Sequence, residues 1–154
     1  MEKMKLMLVD DEERFLTTTE KLLTRKGISV QTAGGGAEAL EKLEKGTVHV
    51  VVLDVKMPGM DGIETLQQIK QRFPLVEVIM LTGHATVESA IDGLKSGATD
   101  YLMKPTDLDD LVAKAEEAFE KRQRVEEKIR LAQSKRYTKS PREILKATDE
   151  AAKG

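Results

Sequence analysis

Val48-His49-Val50-Val51-Val52-Leu53-Asp54 is the stretch that decides the fold of this 154-residue chain. An apolar run this continuous reads as a strand covered on both faces, the central position of a parallel sheet. The acid that ends it would be costly to bury without a partner. Three other short runs end on a polar residue in the same way: Leu6 to Val9 on Asp10 and Asp11, Val78 to Leu81 on Thr82, and Tyr101 to Met103 on Lys104. If these runs are parallel strands, their carboxyl ends share one edge of the sheet, where ligands of open α/β folds bind.

Outward from Asp54, short apolar runs alternate with longer amphipathic stretches, the pattern of βαβ units. The spacing predicts strands at Lys5 to Val9, Ser29 to Ala33, Val48 to Leu53, Glu77 to Leu81 and Asp100 to Met103. The first helix, Glu12 to Lys26, places Phe15, Leu16, Leu22 and Leu23 near one face and stops at Gly27. The second opens at Gly34-Gly35-Gly36 and turns Ala39, Leu40 and Leu43 inward. Asp61-Gly62 reads as a turn, so the third begins near Ile63 and runs through Leu66 and Ile69 to Phe73, before Pro74. The fourth, about Thr86 to Ser96, carries Val87, Ala90, Ile91 and Leu94. The second strand alternates with polar residues and reads as an edge. With right-handed crossovers, the fold is a flavodoxin-like (βα)5 three-layer sandwich of sheet order 2-1-3-4-5, with an extended C-terminal helix. Its switch point, between strands one and three, brings Asp10, Asp11 and Asp54 together.

Charge is nearly balanced, 25 basic against 27 acidic residues, which argues against a dedicated nucleic-acid or membrane-surface binder. The balance hides an asymmetry: from Glu120 onward there are 11 Lys and Arg against 6 Asp and Glu. The body is acidic and the tail basic. Cysteine is absent, so thiolate metal sites are excluded. No apolar run is long enough for a membrane span, and a soluble cytoplasmic protein is the default expectation.

Three carboxylates at one sheet edge repel one another unless a cation lies among them. Mg²⁺ suits the set, with Mn²⁺ as an alternative, because it takes a few carboxylates and shares its other positions with waters and phosphate oxygens. Lys104 and Thr82 supply a compact positive charge and a hydroxyl donor for a phosphoryl group. Singly, each residue has an ordinary explanation. An Asp after a strand is commonly a helix N-cap, Thr82 before Gly83 could be a turn residue, and Lys104 could be solvated. Five together at one edge have none.

Residue by residue, the chain resembles the receiver domain of two-component response regulators. The matching pieces are Val9-Asp10-Asp11-Glu12, Leu53-Asp54-Val55-Lys56-Met57-Pro58-Gly59-Met60-Asp61-Gly62, Leu81-Thr82-Gly83-His84-Ala85, Gly97-Ala98-Thr99-Asp100-Tyr101-Leu102 and Lys104-Pro105. The resemblance covers about Lys5 to Lys121, and Leu81 to Ala85 also looks like receivers that feed central ATPase regulators. It implies that Asp54 is the phosphoacceptor and that Asp10 and Asp11 hold Mg²⁺ together with Asp54 and the carbonyl of Lys56. Thr82 and Lys104 then bind the phosphoryl oxygens. Tyr101 is the switch aromatic that turns inward when Thr82 moves toward the phosphate, and Lys56 and His84 tune the dephosphorylation rate. The donor is the phosphohistidine of a sensor histidine kinase or phosphotransfer protein. The output is a changed contact with a downstream protein target. Such a domain is a signalling phosphoacceptor, with self-phosphorylation and self-dephosphorylation as its only chemistry.

Rivals within the architecture fail at named positions. A flavodoxin needs a hydroxyl-rich phosphate loop where Asp10-Asp11-Glu12-Glu13 would repel phosphate. A dinucleotide site needs its glycines after strand one, whereas Gly34-Gly35-Gly36 follows strand two. A haloacid-dehalogenase-type phosphatase wants an acid at Lys56.

The domain division expected is a receiver over 1–121, a helical extension over 122–139 and a short terminal helix or tail over 140–154. From Asp107 no breaker intervenes before Ser140-Pro141. Leu111, Ala115, Ala118, Arg122, Val125, Ile129 and Ala132 recur at alternating spacings of four and three, a heptad seam with one charged interruption that fits either a homodimer through the fifth helix and its extension or a partner-docking or linker segment of a longer regulator, the first being favoured. Ser140-Pro141-Arg142-Glu143 is a capping box that opens the terminal helix. Glutamates interspersed among the basic residues make this a solvated face, so no direct nucleic-acid binding is expected. Two alternatives remain open at this level: the N-terminal receiver of a larger transcription regulator, and a binding scaffold that is never phosphorylated.

Overall fold

The computed structural model describes residues 2–55, 61–83 and 87–138. Its elements in chain order are β1 (Lys5–Val9), α1 (Glu13–Arg25), β2 (Ser29–Ala33), α2 (Gly36–Lys45), β3 (Val50–Leu53), α3 (Gly62–Arg72), β4 (Glu77–Thr82), α4 (Val87–Lys95), β5 (Asp100–Met103) and α5 (Leu108–Thr138). The strands form one parallel sheet of order β2-β1-β3-β4-β5. All of β3 is buried at its centre, and β2 lies at an edge with alternate residues exposed or half-buried. The chain divides into two compact units, Met1–Arg122 and Gln123–Gly154.

Side chains alternate across the pleat, and this splits the core in two. Met7, Val9, Val51, Leu53, Val78 and Met80 meet Ala39, Leu40 and Leu43 of α2 and Leu66 and Ile69 of α3. Leu6, Leu8, Val50, Val52, Ile79 and Leu81 meet Leu16 and Leu23 of α1 and Leu111, Ala115 and Ala118 of α5. Burying each large aliphatic side chain contributes about 1.5–3 kcal/mol before chain entropy is charged against it. Gly27, after α1, and Gly97, after α4, adopt φ of +87° and +106°, conformations that side chains with a Cβ disfavour.

Register positions the functional edge. Val9 pairs with Leu53, so Asp10 and Asp54 each lie one residue beyond a paired position on adjacent strands. Thr82 pairs with Met103, and Lys104 is the next residue. The backbone bonds of Asp54 N to Val9 O (3.0 Å) and Lys104 N to Thr82 O (2.9 Å) carry the ladders to that edge.

Four details differ from the sequence-based expectation. The third strand begins at Val50, although His49 N still bonds Lys5 O and Glu77 N bonds His49 O. The fourth strand extends through Thr82. Leu22 is 37 % exposed, because α1 is buried along Leu16, Thr19 and Leu23, and the next residue round a helix is turned by about 100°. In α4, Ile91 and Leu94 are 45 % and 50 % exposed; the buried contact belongs to Gly93, where an added Cβ would lie 2.2 Å from Met80 Sδ. The missing side chain lets α4 approach β4 through its backbone.

At the opposite edge of the sheet, buried His49 accepts the Lys5 N–H at Nδ1 (2.9 Å), places Nε2 2.9 Å from Glu2 Oε1, and packs on Phe119. Arg122 donates from Nη1 to Val48 O (2.6 Å), and Lys121 lies 3.5 Å from Glu77. These bonds anchor α5 where the first unit ends. Within the second unit, Ile129 and Leu131 are exposed and Arg130 pairs with Glu127. The proposed terminal helix over 141–152 lies outside the described residues. Among the described residues no helix is long and apolar enough to cross a membrane.

Candidate functional site

Asp10 and Asp54 follow β1 and β3 directly and are almost fully buried, whereas Asp11 is exposed. Each of the three offers a carboxylate oxygen within 4.8 Å of the others. Neither Asp10 nor Asp11 caps a helix. Helix α1 begins at Glu13 after a Glu12 N-cap that makes no side-chain bond, and Asp10 Oδ1 instead accepts the Glu12 N–H at 2.9 Å. That bond folds the chain sharply after β1 and keeps the second Asp10 oxygen turned to the site.

Lys104 reaches into this cluster from beyond β5. Its ammonium is hydrogen-bonded to Asp10 Oδ2 and lies 3.8 Å from Glu12 Oε1 and 3.9 Å from Asp54 Oδ2. Burial pushes the Asp10 carboxyl above its ordinary range; bonds from Lys104 and the Glu12 N–H oppose the rise, and the charge of Asp54 adds to it. One ammonium thus faces three carboxylates, with Asp11 as a fourth acid in the cluster. The remaining negative charge, carried on hard oxygen donors at the sheet edge, fits a divalent cation of the Mg²⁺ type.

Thr82 is completely buried as the last residue of β4. Tyr101 is half-buried against the core on the α2 and α3 side, its hydroxyl 3.3 Å from Ser89 Oγ of α4. The expected switch aromatic is therefore linked to the helix beside it. Lys56 and His84, expected to tune dephosphorylation, lie outside the described residues.

Three contributors escaped the sequence reading. Gly62 passes so close to the acceptor strand that an added Cβ would lie 2.3 Å from Asp54 O and 2.4 Å from Val55 Cα. Asp61 caps α3 by accepting the Glu64 N–H at 2.8 Å, so the helix starts at Gly62, directly behind Asp54. Phe15, assigned only to the core face of α1, lies under the Lys104 ammonium with its ring centroid 4.1 Å away. The available signal was spacing: Phe15 falls about one helical turn after Asp11, on the turn that faces the site.

Comparison with known proteins converges on one family. The sequence profile described as "Response regulator receiver domain" matches residues 6–116. The DNA-binding transcriptional regulator NtrC of Escherichia coli (strain K12) is 42 % identical over 112 residues, which are 73 % of this chain and 24 % of that protein. The transcriptional regulatory protein ZraR of the same strain is 40 % identical over 114 residues, 74 % of this chain and 26 % of that one. The chain thus spans about a quarter of the length of these relatives. Among solved structures, a CheY-like response regulator receiver domain protein from Methanospirillum hungatei JF-1 superposes with a TM-score of 0.77 at 31 % identity, covering 80 % of this chain and 98 % of that one. NtrX from Brucella abortus, in complex with ADP, gives 0.79 at 30 % identity, covering 84 % and 30 %. The profile match over most of the chain, with relatives about 40 % identical over the same span, shows that the chain belongs to the response regulator receiver domain family of two-component signalling.

Proposed function

We propose that Asp54 is the phosphoacceptor of this receiver, taking a phosphoryl group from the phosphohistidine of a sensor histidine kinase or phosphotransfer protein. The observation that carries the reading is the meeting of Asp10, Asp11 and Asp54 within 4.8 Å beside the Lys104 ammonium. Asp10, Asp11 and Asp54, with the carbonyl of Lys56, would hold Mg²⁺ or Mn²⁺. When bound, the ion neutralises charge on the transferring group.

The residues of the chain do the rest. An Asp54 carboxylate oxygen attacks phosphorus as the P–N bond breaks, and the imidazole leaves neutral when its other nitrogen carries a proton. Lys104 turns from Asp10 toward the phosphoryl oxygens, and the Thr82 hydroxyl donates to another. Water later attacks phosphorus, releasing phosphate and restoring Asp54; self-phosphorylation and self-dephosphorylation are the whole of the chemistry. Lys56 and His84 set the lifetime of the acyl phosphate. Tyr101 reports the state by exchanging its place beside Ser89 for an inward position, and the contact so altered is with a downstream protein. Asp54→Ala, incubated with phosphoramidate and Mg²⁺, is expected to take up no label. Uptake at the wild-type rate overturns the assignment.

A second reading concerns context: this receiver is the input unit of a larger transcription regulator. The favouring observation is that the matched relatives are about four times the length aligned. Within that reading the fifth helix forms a homodimer. Leu111, Ala115 and Ala118 of the predicted seam are buried in their own core, so the seam open to a partner starts at Val125 and continues through Ile129, which is 42 % exposed. Light scattering of the whole chain over a concentration series, with and without Ile129→Asp, tests it. A monomer in both removes the dimer.

A further inference from the structure

The Lys104 ammonium has a neighbour that no carboxylate argument supplies. The Phe15 ring centroid is 4.1 Å from Nζ, well inside the distance at which a cation is held by an aromatic face. The Lys104 side chain is 16 % exposed. Phe15 is itself half-buried, packed on the core between the sheet and the helices α1 and α5. The ring is therefore fixed by its packing, and the ammonium by Asp10 on one side and the ring on another.

We infer that Phe15 is a positioning residue for phosphoryl transfer: its ring confines the Lys104 ammonium to the space between Asp10 and Asp54. The inference rests on the phosphoacceptor reading above and extends it to a residue outside the acidic and cationic set. The geometry supports this in two ways. First, Nζ is bonded to Asp10 yet only 3.9 Å from Asp54 Oδ2, so the shift toward a phosphoryl group on Asp54 is short. A shift of that size keeps the ammonium within about 6 Å of the ring, the range of a cation–π contact. Second, Phe15, Leu22, Pro105, Leu108 and Lys104 line one cavity of about 510 Å³. Without the ring, that space and the water at its mouth become available to the lysine.

A ring that stabilised the resting and transferring arrangements equally would change no rate, because only differential stabilisation does so. The effect here is on competing arrangements. A solvated, outward Lys104 is a resting state that the transferring complex must abandon. Removing the ring populates that state and lowers the competent fraction.

The test uses the whole chain with phosphoramidate and Mg²⁺. Phe15→Leu keeps apolar bulk and loses the aromatic face; Phe15→Tyr keeps the face. Phe15→Leu is expected to slow labelling of Asp54 about fivefold, and Phe15→Tyr to restore the rate to within about twofold. The ring-current shift of the Lys104 ε-methylene protons in NMR spectra is expected to persist in Phe15→Tyr and vanish in Phe15→Leu. Rescue of the rate by Phe15→Tyr but not by Phe15→Leu, which keeps the apolar bulk, is a result that a merely structural role would not give. If both variants label at the wild-type rate while Asp54→Ala does not label at all, the positioning role is overturned and the acceptor assignment stands. If Asp54→Ala labels normally, the acceptor reading itself has failed.

Discussion

The Lys104 ammonium stands 3.9 Å from Oδ2 of Asp54 while it is hydrogen-bonded to Asp10. One cation is thus shared between a residue proposed to bind metal and the residue proposed to accept the phosphoryl group. On the proposed assignment, Lys104 and a divalent ion would compete for Asp10 in the resting protein.

Competition of this kind gives opposite effects on binding and transfer. Lys104→Met should tighten Mg²⁺ about three- to tenfold, because the ion no longer displaces an ammonium from Asp10. The same change should slow labelling of Asp54 by at least about tenfold, since a charge that meets the transferring group is lost. Isothermal titration calorimetry and phosphoramidate labelling read the two effects separately. Unchanged Mg²⁺ affinity would show that Lys104 and the ion do not share Asp10.

Gly62 tests how tightly the acceptor strand is backed. A Cβ there would lie 2.3 Å from Asp54 O and 2.7 Å from Val55 O, both backbone atoms that cannot turn aside. Gly62→Ala is expected to cost more than about 2 kcal/mol in urea unfolding and to displace Asp54 enough to impair labelling. Gly35→Ala is the control: it meets nothing within 4 Å at the N-cap of α2 and should cost less than about 1 kcal/mol. Equal losses in the two variants would refute the close-approach argument.

These two cases mark where the sequence was readable. Sheet order, the central place of β3 and the gathering of Asp10, Asp11 and Asp54 followed from apolar runs that each end on a polar residue, because period and run length are local properties of the chain. Gly62, Gly93 and Phe15 were not readable in the same way. A glycine that permits close approach looks like a turn residue until its neighbour across space is known, and an aromatic beside a cation looks like core. Leu22, Ile91 and Leu94 show the converse. Each is apolar and would suit a buried face, but the helix is oriented by Thr19 or Gly93 instead.

Glu38 supplies a prediction about pH. Its carboxylate accepts the Gly34 N–H at 2.7 Å and lies 3.1 Å from Lys42. The Gly34 bond, then Lys42, holds its pKa below the ordinary 4.5. A depressed folded-state value contributes stability that is present above 4.5 and lost as pH falls through the folded value. The side chain is about half exposed, so solvent screening limits the effect to a few tenths of a kcal/mol. Glu38→Gln should therefore lower the urea midpoint slightly at neutral pH, with the difference from wild type shrinking below 4.5. A difference that grew on acidification would contradict the sign.

The contact between α4 and β4 can be tested by a double-mutant cycle. Alanine is favoured over glycine inside a helix by about 1 kcal/mol, so propensity alone predicts that Gly93→Ala stabilises the protein. The geometry predicts the reverse, since the new methyl would lie 2.2 Å from the sulfur of fully buried Met80. Overpacking of this kind costs about 1–3 kcal/mol, leaving a net loss expected in urea unfolding. Met80→Ala alone should cost about 2–5 kcal/mol through the cavity it leaves. In the double variant the methyl added by Gly93→Ala enters that cavity, so the combined loss should fall short of the sum by about 1–3 kcal/mol. Ile91→Ser and Leu94→Ser, on the exposed face, should stay within about 0.5 kcal/mol of wild type. Strict additivity at Gly93 and Met80, or a large loss at Ile91, would mean that α4 rests on β4 through a different face.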